Sequence, residues 1–198
     1  MQVLLASSNK GKLEEIADLL KNVPVEILLP KDIGLNLDVR EDGETYAENA
    51  RKKALAYCGA SGLVTLADDT GLEVEALGGK PGLHSARFTG KADATDASRR
   101  AFLLEKLKGH PQPWRAAFRC TVVVAAPDGR LFTLDGACQG EIIPEERGAN
   151  GFGYDPIFLV DGKGKTMAEL TLEEKNTLSH RARAVLAARP VLLDLATE

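Results

Sequence analysis

The apolar positions of this chain fall into short runs that alternate between two spacings, one suited to buried strands and one to helices. Val3–Ala6 is continuously apolar and predicts a core strand. Ser7, Ser8 and Asn9 follow as a polar turn, and Leu13, Ile16, Leu19 and Leu20 then recur at helical spacing over Lys12–Leu20. Val25–Leu29 predicts a second strand, and Asp32–Gly43 an irregular, acid-bearing stretch. Thr45-x-x-Glu48 has the form of a capping box, with Ala47, Ala50, Ala54 and Leu55 on the apolar face of a helix reaching Tyr57. Leu63–Ala67 predicts a third strand, closed by Asp68-Asp69-Thr70-Gly71.

Three glycines and a proline in Gly78-Gly79-Lys80-Pro81-Gly82 predict a turn bordering a cleft. A helix is expected from Asp96 to Lys108, with Phe102, Leu103 and Leu107 inward. Ala116–Ala126 and Leu131–Ile143 read as long strands joined at Pro127-Asp128-Gly129-Arg130, a hairpin signature that makes them antiparallel neighbours. Gly148–Asp155 is a glycine-bearing loop and Ile157–Val160 a short strand. Thr171-x-x-Glu174 is a second capping box, opening one helix that carries Lys175, Ser179, His180 and Arg181 until Pro190 ends or kinks it. No repeat, low-complexity segment or linker divides the chain, so residues 1–198 read as a single α/β domain built on a mixed sheet.

Composition narrows the function. The 198 residues are 44% hydrophobic, enough to bury a core, and 25 Lys and Arg against 29 Asp and Glu leave a net charge of −4. That balance offers no basic field for a nucleic-acid polymer. The opening apolar run has no charged segment before it and polar residues directly after, so it reads as a strand rather than a signal peptide. No apolar stretch approaches the roughly 20 residues of a membrane span. The expectation is a soluble, cytoplasmic protein with no membrane partner. Cys58, Cys120 and Cys138 are odd in number and form no Cys-x-x-Cys, which points to buried reduced thiols rather than a disulfide framework or zinc site.

Three places could carry chemistry. Ser7-Ser8-Asn9-Lys10-Gly11-Lys12 combines a helix start, hydroxyls and lysines, which suits a phosphate, although an ordinary helix cap with solvated lysines fits the same residues. It is not a Walker loop, because Gly-x-x-x-x-Gly-Lys-Ser/Thr is absent. Asp68 and Asp69 at a strand end would repel each other unless a cation or protons intervened, and hard oxygen donors suit magnesium; Glu41 or Glu44 could add a ligand. A turn with an Asp cap is the plain alternative. Lys175 and Ser179 are four apart and share a helix face with His180 and Arg181 at its edge, while Phe152 and Tyr154 could stack a base or simply anchor their loop. There is no Gly-x-Ser-x-Gly elbow and no Asp-x-Asp of an aspartyl-phosphate phosphatase at this strand end.

Six stretches, in this order, resemble the inosine/xanthosine triphosphate pyrophosphatases, also called noncanonical purine NTP pyrophosphatases. They are Ser8-Asn9-Lys10-Gly11-Lys12-Leu13-Glu14-Glu15, Glu41-Asp42-Gly43 with Glu48-Asn49-Ala50, Ala67-Asp68-Asp69-Thr70-Gly71-Leu72, Leu77-Gly78-Gly79-Lys80-Pro81-Gly82, Gly151-Phe152-Gly153-Tyr154-Asp155-Pro156-Ile157-Phe158, and Glu174-Lys175-Asn176 with Ser179-His180-Arg181. They span nearly the whole chain. The resemblance implies two lobes around a central cleft, a homodimer, and magnesium-dependent hydrolysis of ITP, dITP and XTP to the monophosphate and pyrophosphate. It implies further that the segment Ser7–Lys12, above all Ser8, Asn9 and Lys12, holds the triphosphate with Lys53, and that Glu41 and Asp69 hold magnesium. Thr70 would contact substrate, and Phe152, Gly153, Tyr154, Asp155, Lys175, His180 and Arg181 would form the base pocket. Ser8 stands where some members have threonine, which keeps the hydroxyl. A carboxylate bound to magnesium is a poor base. Asp69 is therefore expected to orient water and Asp68 to be the freer, helping carboxylate.

Overall fold

The structure, a computed structural model, describes residues 1–197. In chain order its elements are β1 (Gln2–Leu5), α1 (Lys10–Leu20), β2 (Glu26–Leu28), α2 (Tyr46–Ser61), β3 (Val64–Val74), β4 (Pro81–Gly82), α3 (Asp96–Leu107), β5 (Trp114–Ala125), β6 (Leu131–Ile142), β7 (Phe158–Val160), α4 (Leu172–Leu178) and α5 (His180–Thr197). The strands form one sheet in the order β2-β1-β3-β5-β6-β7, with β4 beside β3. β1 runs parallel to β2 and β3, whereas the β3–β4 and β6–β7 pairs are antiparallel. The fold is thus α/β with a mixed sheet and flanking helices, as the pattern predicts.

Two compact units make up the chain. The first comprises Met1–Asp69, Cys120–Gly136 and the chain from His180 onward; the second comprises Thr70–Arg119 and Ala137–Ser179. In the first unit, side chains of a strand alternate between the two faces of the sheet. Val64 and Leu66 of β3, with Val122 and Val124 of β5, meet Ile16 of α1 and Ala184, Val185 and Ala188 of α5. The intervening Ala67, Val123 and Ala125 meet Ala50, Ala54 and Cys58 of α2. One face therefore carries α1 and α5, the other α2. In the second unit, Leu103 and Leu107 of α3 pack with Phe118, Phe158, Met167 and Leu178. The three cysteines are buried, and among the described residues no helix is long and apolar enough to cross a membrane.

Two expectations are corrected. β3 does not end at Ala67 but continues to Val74, because Leu72 and Glu73 pair with Gly82 and Pro81 and buried Leu72 and Val74 extend the core. Asp68 and Asp69 are therefore mid-strand residues rather than part of a turn. The last predicted helix is two helices: Ser179 takes extended dihedrals (φ −66°, ψ 157°) and its N–H closes α4 by donating to the Lys175 carbonyl at 2.9 Å. Pro190, expected to end or kink this helix, lies inside α5 rather than at its end. It lacks one N–H, yet Ala188 and Leu192 on either side are fully buried and hold the helix against the core.

Candidate active site

The Ser7–Lys12 loop leaves β1 and opens α1. Asn9 caps the helix, its Oδ1 accepting from the Lys12 N–H at 3.1 Å, and no acidic residue sits in the first turn. Ser8, Asn9 and Lys10 are exposed. The partial positive charge of the helix start is consequently open to an anion.

Lys12 Nζ reaches the Asp68 carboxylate at 2.9 Å. On the same face of β3, Arg181 Nε lies 3.4 Å from Asp68 Oδ2, and its Nη1 pairs with Glu15. Asp68, Glu15 and Arg181 are all buried. Two carboxylates and two cations make this cluster neutral, which is what lets it persist out of water. Burial opposes the charge on Asp68, but Lys12, Arg181 and Lys53 outweigh it and hold its pKa well below the usual carboxylate range. Burial likewise opposes the charge on Arg181, and Asp68 and Glu15 outweigh it. The expectation that Asp68 is the freer carboxylate is therefore overturned. Arg181, grouped by resemblance with the base pocket, has its guanidinium committed to these carboxylates.

Asp69 points to the α2 face. It accepts a hydrogen bond from Asn49 Nδ2 at 3.0 Å, while Asn49 Oδ1 accepts from the Gly43 N–H at 2.8 Å. Asn49, 2% exposed, thus ties the acidic loop that carries Glu41 to Asp69. Lys53, one turn further along α2, places Nζ 2.5 Å from Glu41 Oε1 and donates to the Asp68 carbonyl at 2.6 Å. Burial lowers its pKa, but the charges of Asp68, Glu41 and Asp69 prevail and keep it raised. Lys53 therefore sits in a strongly negative environment. Sequence reasoning missed Glu15 and Asn49 as site residues, since each is one polar residue on an otherwise ordinary amphipathic helix.

In the second unit, Lys175 Nζ donates to Asp155 Oδ2 at 2.7 Å, and both side chains are buried. The same Oδ2 accepts from the Phe152 N–H at 3.1 Å, and the ammonium stands 5.3 Å from the Phe152 ring centroid. Gly151 is required here: its φ is +73°, and a Cβ would fall 2.1 Å from Asp155 Oδ2. The Tyr154 hydroxyl donates to the Ser85 carbonyl at 2.9 Å, and burial pushes the phenol pKa up. The result is a loop with an aromatic face and a buried ion pair beside it. Thr70 is half-buried on β3 in this unit, whereas His180 is buried at the first residue of α5 in the other.

A sequence model of the Ham1 family matches residues 3–191. A dITP/XTP pyrophosphatase of Desulforamulus reducens is 46% identical over 193 residues, covering 97% of this chain and 96% of that protein. One from Geobacter sulfurreducens is 48% identical over 185 residues, covering 93% and 92%. The structure of a Ham1 protein from Coxiella burnetii superposes with a TM-score of 0.89 at 37% identity, covering 98% of this chain and 99% of its own.

Proposed function

Because the chain belongs to the Ham1 family, we propose that it hydrolyses dITP, ITP and XTP to the nucleoside monophosphate and pyrophosphate, removing them from the nucleotide pool. The relatives from D. reducens and G. sulfurreducens carry the name dITP/XTP pyrophosphatase. The observation that carries the reading is that Lys12 and Lys53 are both fastened to the Asp68-Asp69 segment. Cations for a phosphate chain and carboxylates for a hard metal are thereby brought to one stretch of β3.

Ser7, Ser8, Asn9, Lys10 and Gly11 would offer hydroxyl, amide and backbone N–H donors to phosphate oxygens at the start of α1. Lys12 has three ammonium donors, and Asp68 accepts from one direction, so the remaining donors can turn to phosphate. In this reading Asp68 anchors Lys12 rather than accepting a proton. Asp69, held by Asn49, would orient the attacking water, and Thr70 would contact substrate. Phe152 would stack the purine, with Gly153, Tyr154, Asp155 and Lys175 shaping its surroundings. His180 would donate toward a 6-oxo oxygen, which adenine lacks, while Arg181 would act through its hold on Asp68.

Magnesium is the cofactor this reading calls for, with Glu41 and Asp69 as its protein ligands. Among the described residues no group of three or more His, Cys, Asp or Glu could hold a metal. A pair of carboxylates fits magnesium, which takes one or two and completes its shell with water and phosphate. When bound it would neutralise charge on the phosphate chain. A homodimer working in the cytoplasm completes the proposal, on the strength of the family resemblance.

The test is incubation with ITP, dITP, XTP, GTP and ATP plus magnesium, with products separated by chromatography. Pyrophosphate and monophosphate from the first three, with little turnover of ATP, are expected. Release of single phosphate would remove the proposed cleavage site, and equal turnover of ATP the proposed base selection.

A further inference from the structure

The loop that carries Phe152 and Asp155 is fastened by residues that lie outside every stretch quoted for the family resemblance. At the first residue of α3, Asp96 Oδ2 accepts a hydrogen bond from the Gly153 N–H at 2.8 Å. One turn on, Arg100 Nη1 donates to the Gly153 carbonyl at 2.8 Å. The remaining guanidinium nitrogens, Nε and Nη2, grip both oxygens of Glu146 at 2.8 Å each. Both backbone groups of one glycine are thus taken by α3, and Arg100 staples the entry of the loop at Glu146 to its far side at Gly153. Arg99 supports the arrangement from behind, pairing with Asp96 and donating to the Ala94 carbonyl at 2.6 Å.

Such a clamp has a specific physical use. Gly148, Gly151 and Gly153 all adopt positive φ, and glycine loses more conformational freedom on ordering than any other residue. A loop this rich in glycine would otherwise sample many shapes, and a ligand would have to order it on binding. Asp96 and Arg100 remove that need in advance. Because Phe152 and Asp155 lie within two residues of Gly153, fixing the two peptide units that meet at Gly153 fixes the ring on one side and the Asp155–Lys175 pair on the other. Charge-assisted hydrogen bonds are the strong kind, and the bidentate Arg100–Glu146 pair orients the guanidinium before it meets Gly153.

We propose that Asp96 and Arg100 are positioning residues for purine recognition, which preorganise the Phe152–Asp155 loop and so set how tightly the base is held. The proposal rests on the nucleotide reading given above. It separates base binding from phosphate chemistry, because Asp96 and Arg100 belong to the second unit and Lys12, Lys53 and Asp69 to the first.

The experiment compares the full-length wild type with Arg100→Met, Arg100→Lys and Asp96→Asn. Steady-state kinetics with ITP and XTP, inhibition by pyrophosphate, amide hydrogen exchange of residues 151–155 and the thermal midpoint are measured for each. Arg100→Met is expected to raise KM for both nucleotides about tenfold, the worth of one charge-assisted hydrogen bond, with kcat within about twofold. The pyrophosphate inhibition constant should stay unchanged, and exchange in residues 151–155 should quicken. Arg100→Lys and Asp96→Asn keep a donor or an acceptor for Gly153 and should fall between. If exchange stays as in the wild type, the clamp is refuted. If exchange quickens while KM is unmoved, or if pyrophosphate inhibition weakens as much as nucleotide binding, the positioning role is refuted. If the wild type turns over neither ITP nor XTP, the nucleotide reading fails and the role falls with it, whatever the exchange data show of the clamp.

Discussion

Asp68 and Asp69, adjacent in the chain, turn their carboxylates to opposite faces of β3. Asp68 meets Lys12 at 2.9 Å and Arg181 at 3.4 Å, and Asp69 accepts from Asn49 at 3.0 Å. Strand alternation enforces this division, and it predicts that the two aspartates fail differently when neutralised. Asp69→Asn keeps its shape and a polar partner, so the thermal midpoint should hold within a few degrees while turnover of ITP falls at least about a hundredfold. Asp68→Asn leaves two cations and one carboxylate in a buried cluster, and should destabilise by about 3 to 5 kcal/mol in denaturant unfolding. Equal stability of the two variants would refute the partition.

The same carboxylate sets an acid limb of stability. The folded pKa of Asp68 lies well below its ordinary value of 3.8, held there by Lys12, Arg181 and Lys53 against the effect of burial. A depressed folded pKa means that the unfolded chain takes up the proton first. The stabilisation is fully present above about pH 4 and is lost as pH falls from there toward the folded value. Thermal midpoints between about pH 5 and pH 2 should therefore drop in the wild type, and the slope should be shallower in Asp68→Asn, which carries no such group. Parallel slopes would assign the acid limb to other carboxylates.

Much of the fold was legible because caps, turns and apolar runs act over a few residues. Thr171 and Glu174 exchange hydrogen bonds at 3.1 and 2.8 Å, as their spacing predicts. The box at Thr45 is only half-formed: its hydroxyl accepts from Glu48, but the Glu48 carboxylate turns to the Glu44 N–H at 2.7 Å. The illegible parts depend on distant partners. Glu15 looks like a second solvated acid beside Glu14, and it is buried only because Arg181, 166 residues away, arrives at its side. Likewise Asp-Asp-Thr-Gly has the composition of a turn, and pairing with Pro81 and Gly82 keeps it in β3. The aspect of the site that needed coordinates was which carboxylate is engaged, a property of packing faces rather than of spacing.

Two glycines separate scaffold from loop. A Cβ on Gly136 in β6 would fall 2.0 Å from the His180 carbonyl oxygen and 2.7 Å from the Ala184 nitrogen, both backbone atoms of α5. Gly136→Ala must push the helix away and should destabilise by about 3 kcal/mol or more. Gly151→Ala meets the Asp155 carboxylate and a positive φ instead. It should be less costly, about 1 to 3 kcal/mol, with the damage concentrated in KM for ITP. Circular dichroism melts and steady-state kinetics check both, and a larger stability loss at Gly151 would contradict the ranking.

Asn49 offers a test of the proposed magnesium ligands that does not alter either of them. Its amide oxygen accepts from the Gly43 N–H at 2.8 Å and its amide nitrogen donates to Asp69 at 3.0 Å, so one buried side chain sets the Glu41 loop against the Asp69 carboxylate. Groups of this kind, hydrogen-bonded to a metal ligand, typically change metal affinity or activity by about 10- to 100-fold when removed. Chelation should abolish ITP hydrolysis by the wild type, and added magnesium should restore it. Asn49→Ala is expected to raise the magnesium concentration for half-maximal activity at least about tenfold, with a smaller effect on the rate at saturating metal. Asn49→Asp keeps the acceptor for Gly43 but sets a second carboxylate against Asp69, and it should be worse than alanine at neutral pH because the two charges repel. If both variants follow the wild-type magnesium titration, then Glu41 and Asp69 do not hold the metal together.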